Sequence, residues 1–109
     1  MSHGSRYTRR KAWWGYVKSF IRKYKFMKDV SPKEMTETEQ KELDSVKAAI
    51  ESTLLLNEGE LRIKLVDIIF WKKTHTLEGA AMILNVSYRT ARRWHTEFIL
   101  SVAKEFGLD

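Results

Sequence analysis

Residues 74–96 read THTLEGAAMILNVSYRTARRWHT, which fits two short helices with a tight turn between them. Thr76 can cap a helix over Leu77 to Leu84, with Glu78 in the first turn where the macrodipole favours an acid. Asn85-Val86-Ser87 then makes the turn. Asn tolerates the left-handed conformation that ends helices, and Ser87 can cap a second helix from Tyr88. Gly79, Ala80 and Ala81 are small enough to let two helix backbones cross closely. A turn of about three to four residues is the spacing of a helix-turn-helix.

The second helix is two-sided. At roughly 100° per residue, Arg92, Arg93 and Thr96 lie within about 60° of Arg89, while Ala91, Trp94, Phe98 and Val102 gather opposite. Arginine suits reading of a DNA major groove, because its planar fork bonds guanine O6 and N7 together or grips a phosphate. Ser87, Tyr88 and Arg89 stand at the N-terminal end, where such helices touch base edges and phosphates. The blander alternative is a solvated basic surface on an ordinary helical bundle. Trp94 reads as core rather than as a base-stacking platform.

The stretch LEGAAMILNVSYRTARRW resembles the C-terminal region of small phage-encoded transcriptional regulators, the RinA and ArpU type of late-gene activator. That region in turn looks like the promoter-binding helix-turn-helix of sigma factors (region 4). The tail, RTARRWHTEFILSVAKEFGLD, is similar to the same family's closing helix, and the resemblance covers roughly residues 36–109. It implies a double-stranded DNA partner, with RNA polymerase as a further one. Two positions depart from the pattern. Asn85 stands where glycine is commonest, and Ala91 is smaller than the usual Val or Ile.

Composition bounds the rest. A chain of 109 residues suits one domain with a single core. No cysteine is present, which rules out disulfides and thiolate metal sites and fits a reducing cytoplasm. No apolar run approaches the ~18 residues of a membrane span. The first residues, MSHGSRYTRRK, lack the apolar core of a signal peptide. A net charge of +6 points to a polyanion, and residues 1–28, 29–60 and 61–109 carry nets of +9, −6 and +3. Such blocks suit two surfaces that favour nucleic acid around one that avoids it. They equally suit intramolecular pairing between the central acids and the N-terminal bases.

Outside the motif, residues 1–8 read as a flexible N-terminus and residues 9–28 as a basic aromatic helix. In that helix Trp13, Val17, Phe20, Tyr24 and Met27 recur at helical steps. Its bases Arg10, Lys11, Lys18, Arg22, Lys25 and Lys28 stay available for phosphates while the rings bury. Residues 29–35, with the only proline, read as a linker. A capping box at Thr36 and Glu39 opens a helix to about Leu56, burying Leu43, Val46, Ile50 and Leu54 and exposing its acids. Asn57-Glu58-Gly59 breaks it. Glu60 to Lys73 is apolar nearly all round, and a central helix is preferred to a strand because no second strand is in sight. The last helix runs from Tyr88 to Phe106 and ends at Gly107.

The expected fold is therefore all-α, a small helical bundle with a C-terminal helix-turn-helix at residues 76–106 and an extended last helix. Residues 36–109 form the DNA-binding part, as monomer or homodimer. The candidate contacts are Ser87, Tyr88, Arg89, Arg92, Arg93 and Thr96 in the groove. Lys72, Lys73, Arg10, Lys11, Lys18 and Arg22 are candidates for the phosphates. No cofactor, metal or catalytic residue is expected, since His3, His75 and His95 show no ligand spacing and no phosphate-cradling loop occurs. His95 falls near the apolar side as a half-buried packing residue. Two other functions fit the sequence: a small terminase-like subunit for DNA packaging, and a protein-interaction adaptor with no DNA role.

Overall fold

Side-chain caps at Thr36, Thr76 and Ser87 start three of the α-helices of this fold. The computed structural model describes residues 12–108, which form five α-helices and, among those residues, no strand. They are α1 (Trp14–Met27), α2 (Glu37–Leu54), α3 (Gly59–Val66), α4 (Leu77–Leu84) and α5 (Tyr88–Phe106). The 1–8 segment and the start of the basic helix, with Arg10 and Lys11, lie outside the described residues.

At the start of α2 the predicted capping box closes. Glu39 N–H donates to Thr36 Oγ1 and Thr36 N–H to Glu39 Oε1, both at 3.0 Å. The expected linker holds a single 3-10 turn, Pro32–Glu34, capped by Ser31. At the far end Gly107 takes φ 95°, and Leu108 N–H donates to the Ala103 carbonyl at 2.9 Å, tying off α5.

Two joined apolar clusters hold the helices together. In the first, Val17, Phe20 and Ile21 of α1 pack with Val46 and Ala49 of α2, with Val66 and Phe70, and with Phe98, Ile99, Val102 and Ala103 of α5. In the second, Leu65 packs with Ala80 and Ala81 of α4 and with Ala91 and Trp94 of α5. Ile69 borders both. The rings of α1 bury only in part: Phe20 is in the core against Phe106 and Tyr24 is half-buried against Trp71, whereas Tyr16, edge-on to Phe106, is 40% exposed and Phe26 is 74% exposed.

Two details of α2 differ from expectation. Its inward face is Glu42, Ser45, Val46, Ala49 and Thr53, whereas Leu54 is 45% exposed. The chain leaves the helix through Leu55, whose N–H turns back to the Ser52 carbonyl, and that exit carries Leu54, Leu55 and Leu56 outward. Small Ser45 and Ala49 let α2 lie close along α5, its main neighbour.

Nor are all its acids solvated. Glu42 is buried and accepts a hydrogen bond from the Tyr16 hydroxyl of α1. Burial, that bond and the carboxylate's charge push the Tyr16 phenol up to about 12. A phenol held neutral by the fold stabilises it fully below its ordinary value of 10.0, and that stability is lost as pH rises through about 12. Thermal melts of wild type and Tyr16→Phe should therefore differ below pH 10 and converge by pH 12. A constant difference across that window would contradict this role for the Tyr16–Glu42 bond.

The segment from Glu60 to Lys73 is helical, as expected, but it is not one regular helix. After Val66 the chain winds as a π-helix, Asp67–Lys72, and stops at Lys73 in the left-handed conformation with φ 54°. A π turn takes one extra residue and redirects the side chains beyond it. Here Phe70 goes into the core, and Trp71 reaches α1, its indole N–H donating to the Ile21 carbonyl at 2.8 Å.

Candidate nucleic-acid interface

Each residue of the turn between α4 and α5 does a separate job. Asn85 takes φ 58°, and Val86 N–H donates to the Ala81 carbonyl at 3.0 Å, which ends α4. Ser87 starts α5, its Oγ accepting from Thr90 N–H at 3.0 Å and donating to Thr90 Oγ1 at 2.9 Å. Thr76 caps α4 in the same way, accepting from Gly79 N–H at 3.1 Å. Ala80 and Ala81 make the close approach to α5. Gly79 does not. A Cβ there would make only ordinary contacts, 3.4 Å to His75 and Thr76, so neither the helix crossing nor the cap requires a glycine at this position.

The two faces of α5 separate as its sequence requires. Ala91, Trp94 and Phe98 are buried, while Tyr88, Arg89, Arg92, Arg93 and Thr96 are exposed around one shallow, open depression. Burial of the apolar side in two core clusters fixes the rotation of the helix and so holds the basic side outward. The Arg92 guanidinium lies 5.8 Å from the Tyr88 ring centroid, a cation–π distance that tethers both side chains. Arg93 Nε lies 3.9 Å from Glu97 Oε2, four residues on.

The other candidates do not join this group. Lys72 and Lys73 are exposed where the π-helical stretch ends, just before α4, and Lys72 Nζ is 3.4 Å from Asp67 Oδ2. Lys18 is half-buried and Arg22 exposed on α1, which packs on the half of α5 bearing Phe98 to Phe106, away from the basic depression. His95 is half-buried and stacks on Phe70, ring centroids 5.4 Å apart, as its place on the helix implies. His75 is exposed, Nδ1 lying 2.9 Å from Thr74 Oγ1.

One member of the site, Glu97, is missing from the candidates taken from the sequence. Glu97 lines the depression beside the arginines and is gripped from behind by Arg62 of α3, Nη1 donating to Oε1 at 2.8 Å. The spacing of Arg93 and Glu97 signals an i,i+4 pair. The Arg62 bond spans 35 positions and has no local signal.

Among the described residues, no three His, Cys, Asp or Glu side chains gather where they could hold a metal ion, and no helix is long and apolar enough to cross a membrane. In comparisons with known proteins, no family model, no curated protein and no solved structure matched the chain.

Proposed function

We propose that this chain is a sequence-specific binder of double-stranded DNA that regulates transcription. Its resemblance to late-gene activators of phage, with their sigma-like helix-turn-helix, makes activation in the bacterial cytoplasm, at the nucleoid, the fitting role. One observation carries the reading: Tyr88, Arg89, Arg92, Arg93 and Thr96 surround one exposed depression on a helix whose opposite side is buried.

A helix about 10–12 Å across with its side chains fits the major groove, whose width is about 12 Å. Ser87, Tyr88 and Arg89 would meet it at the N-terminal end of α5, with Arg92 and Arg93 about one turn further in and Thr96 about two. Lys72 and Lys73, exposed just ahead of the α4–α5 pair, would meet phosphates, and Lys18, Arg22, Arg10 and Lys11 would add basic charge from the N-terminal region. The exposed acids of α2 give RNA polymerase a surface that DNA avoids.

Anisotropy titrations on labelled duplexes test this. Arg92→Ala or Arg93→Ala should weaken binding to the preferred sequence by ~1–3 kcal/mol where the side chain reads a base, and equally on all sequences where it holds a phosphate. Wild-type affinity should fall steeply as salt rises. No retention on DNA at low salt would sink the reading and bring the adaptor alternative forward.

A further inference from the structure

A carboxylate on a surface meant for DNA is a cost, since every phosphate repels it. Glu97 is such a group, 48% exposed in its side chain and set among Tyr88, Arg89, Arg92 and Arg93. It is also held firmly. Arg62, only 16% exposed, donates from Nη1 to Glu97 Oε1 at 2.8 Å and from Nε to the Asn57 carbonyl at 3.1 Å. The Arg62 guanidinium further lies 5.4 Å from the ring centroid of buried Trp94. Two anchors besides the carboxylate, the Asn57 carbonyl and the Trp94 ring, fix Arg62, and Arg62 fixes the carboxylate.

The free oxygen of that carboxylate, Oε2, faces Arg93 Nε at 3.9 Å. Among the described residues neither Arg89 nor Arg92 has an acidic partner, so the carboxylate acts on one arginine of the three. A carboxylate beside Nε favours conformers that keep that edge of the guanidinium near Glu97 and leave the two Nη groups to donate elsewhere. Two such donors are what guanine O6 and N7 accept together. Partial neutralisation also weakens the arginine's attraction for phosphates at large.

We propose that Glu97, seated by Arg62, is a specificity-determining positioning residue: it orients Arg93 toward a base edge and restrains it from gripping phosphates. The proposal rests on the DNA reading above. Glu97 lowers affinity for arbitrary DNA and raises the preference for the right site.

The test compares wild type and Glu97→Gln on two duplexes, the site that wild type selects from a random pool and an unrelated sequence, at several salt concentrations. Gln keeps the shape and can still bond Arg62, and a thermal melt verifies folding. Glu97→Gln should bind the unrelated duplex more tightly, with a salt slope steeper by about one phosphate, while discrimination between the duplexes falls about tenfold or more. Equal gains on both duplexes would overturn the proposal, leaving Glu97 as a repulsive charge only. Equal losses on both, with a lowered melting temperature, would also overturn it, as the mark of a merely structural role. If wild type itself selects no site, the DNA reading fails and takes this proposal with it, an outcome visible before any variant is made.

Discussion

Trp94→Ala is expected to cost about 3–5 kcal/mol, the range for deleting a large buried aromatic side chain, and so to approach the whole stability of a domain this size. Trp94 is 2% exposed and fills the cluster that joins Leu65, Ala80, Ala81 and Ala91. Its fully buried neighbours there are mostly alanines, too short to collapse into the space it would leave. Loss of the ring would therefore release α4 from α5 and let the Arg89–Arg93 face rotate. Trp94→Phe should behave differently. The Trp94 indole N–H is buried without a hydrogen-bond partner. Removing an unsatisfied buried donor recovers ~1–3 kcal/mol, which offsets much of the weaker packing of the smaller ring. Chemical denaturation should place Trp94→Phe near wild type and Trp94→Ala far below it. Equal damage from both would show that the indole is held by something other than packing.

Gly59→Ala is the second large effect, at about 3 kcal/mol, the upper end of the usual range for overpacking. A Cβ on Gly59 would stand 2.5 Å from the Thr53 carbonyl oxygen and 2.6 Å from that of Leu54. Both obstacles are backbone, so no side chain can swing away. The α2–α3 corner would have to open, and with it the seat of Arg62 one turn into α3. Glu58, just before it, takes φ 59°, so this corner already holds a non-glycine residue in the left-handed region. A thermal shift of more than about 10 °C is expected, given ~4–8 °C per kcal/mol for a domain near this size. An unchanged melting temperature would mean that α2 and α3 meet less tightly than described.

What could be read from the sequence was what neighbouring residues decide. Caps act over three or four positions, so Thr36 with Glu39, Thr76, Asn85, Ser87 and Gly107 set α2, α4 and α5 close to the expected bounds. The split of α5 into basic and apolar faces is likewise a periodicity within one helix. Features that depend on distant partners were not legible. Leu54 and Thr53 are adjacent, and only the way α2 meets α5 decides that the threonine goes inward. Glu42 looks like any acid on an acidic helix until α1 brings Tyr16 to it across 26 positions. The π-helical stretch at Asp67–Lys72 carries no propensity signal, and its wider turn accompanies Phe70 in the core and Trp71 on α1. The basic depression was thus foreseeable residue by residue, apart from the carboxylate at its edge.

Selection of bound duplexes from a random pool at about 150 mM salt, with wild type and with the Arg92→Ala/Arg93→Ala double variant, tests most directly whether the exposed face of α5 reads DNA. A sequence motif that emerges with wild type and disappears with the double variant is the predicted result. Half-sites about 10 bp apart, or a multiple of that, would mark a dimer, and a motif without a palindrome would mark a monomer. A wild-type pool that stays random, with weak binding unchanged in the double variant, would contradict groove reading by α5.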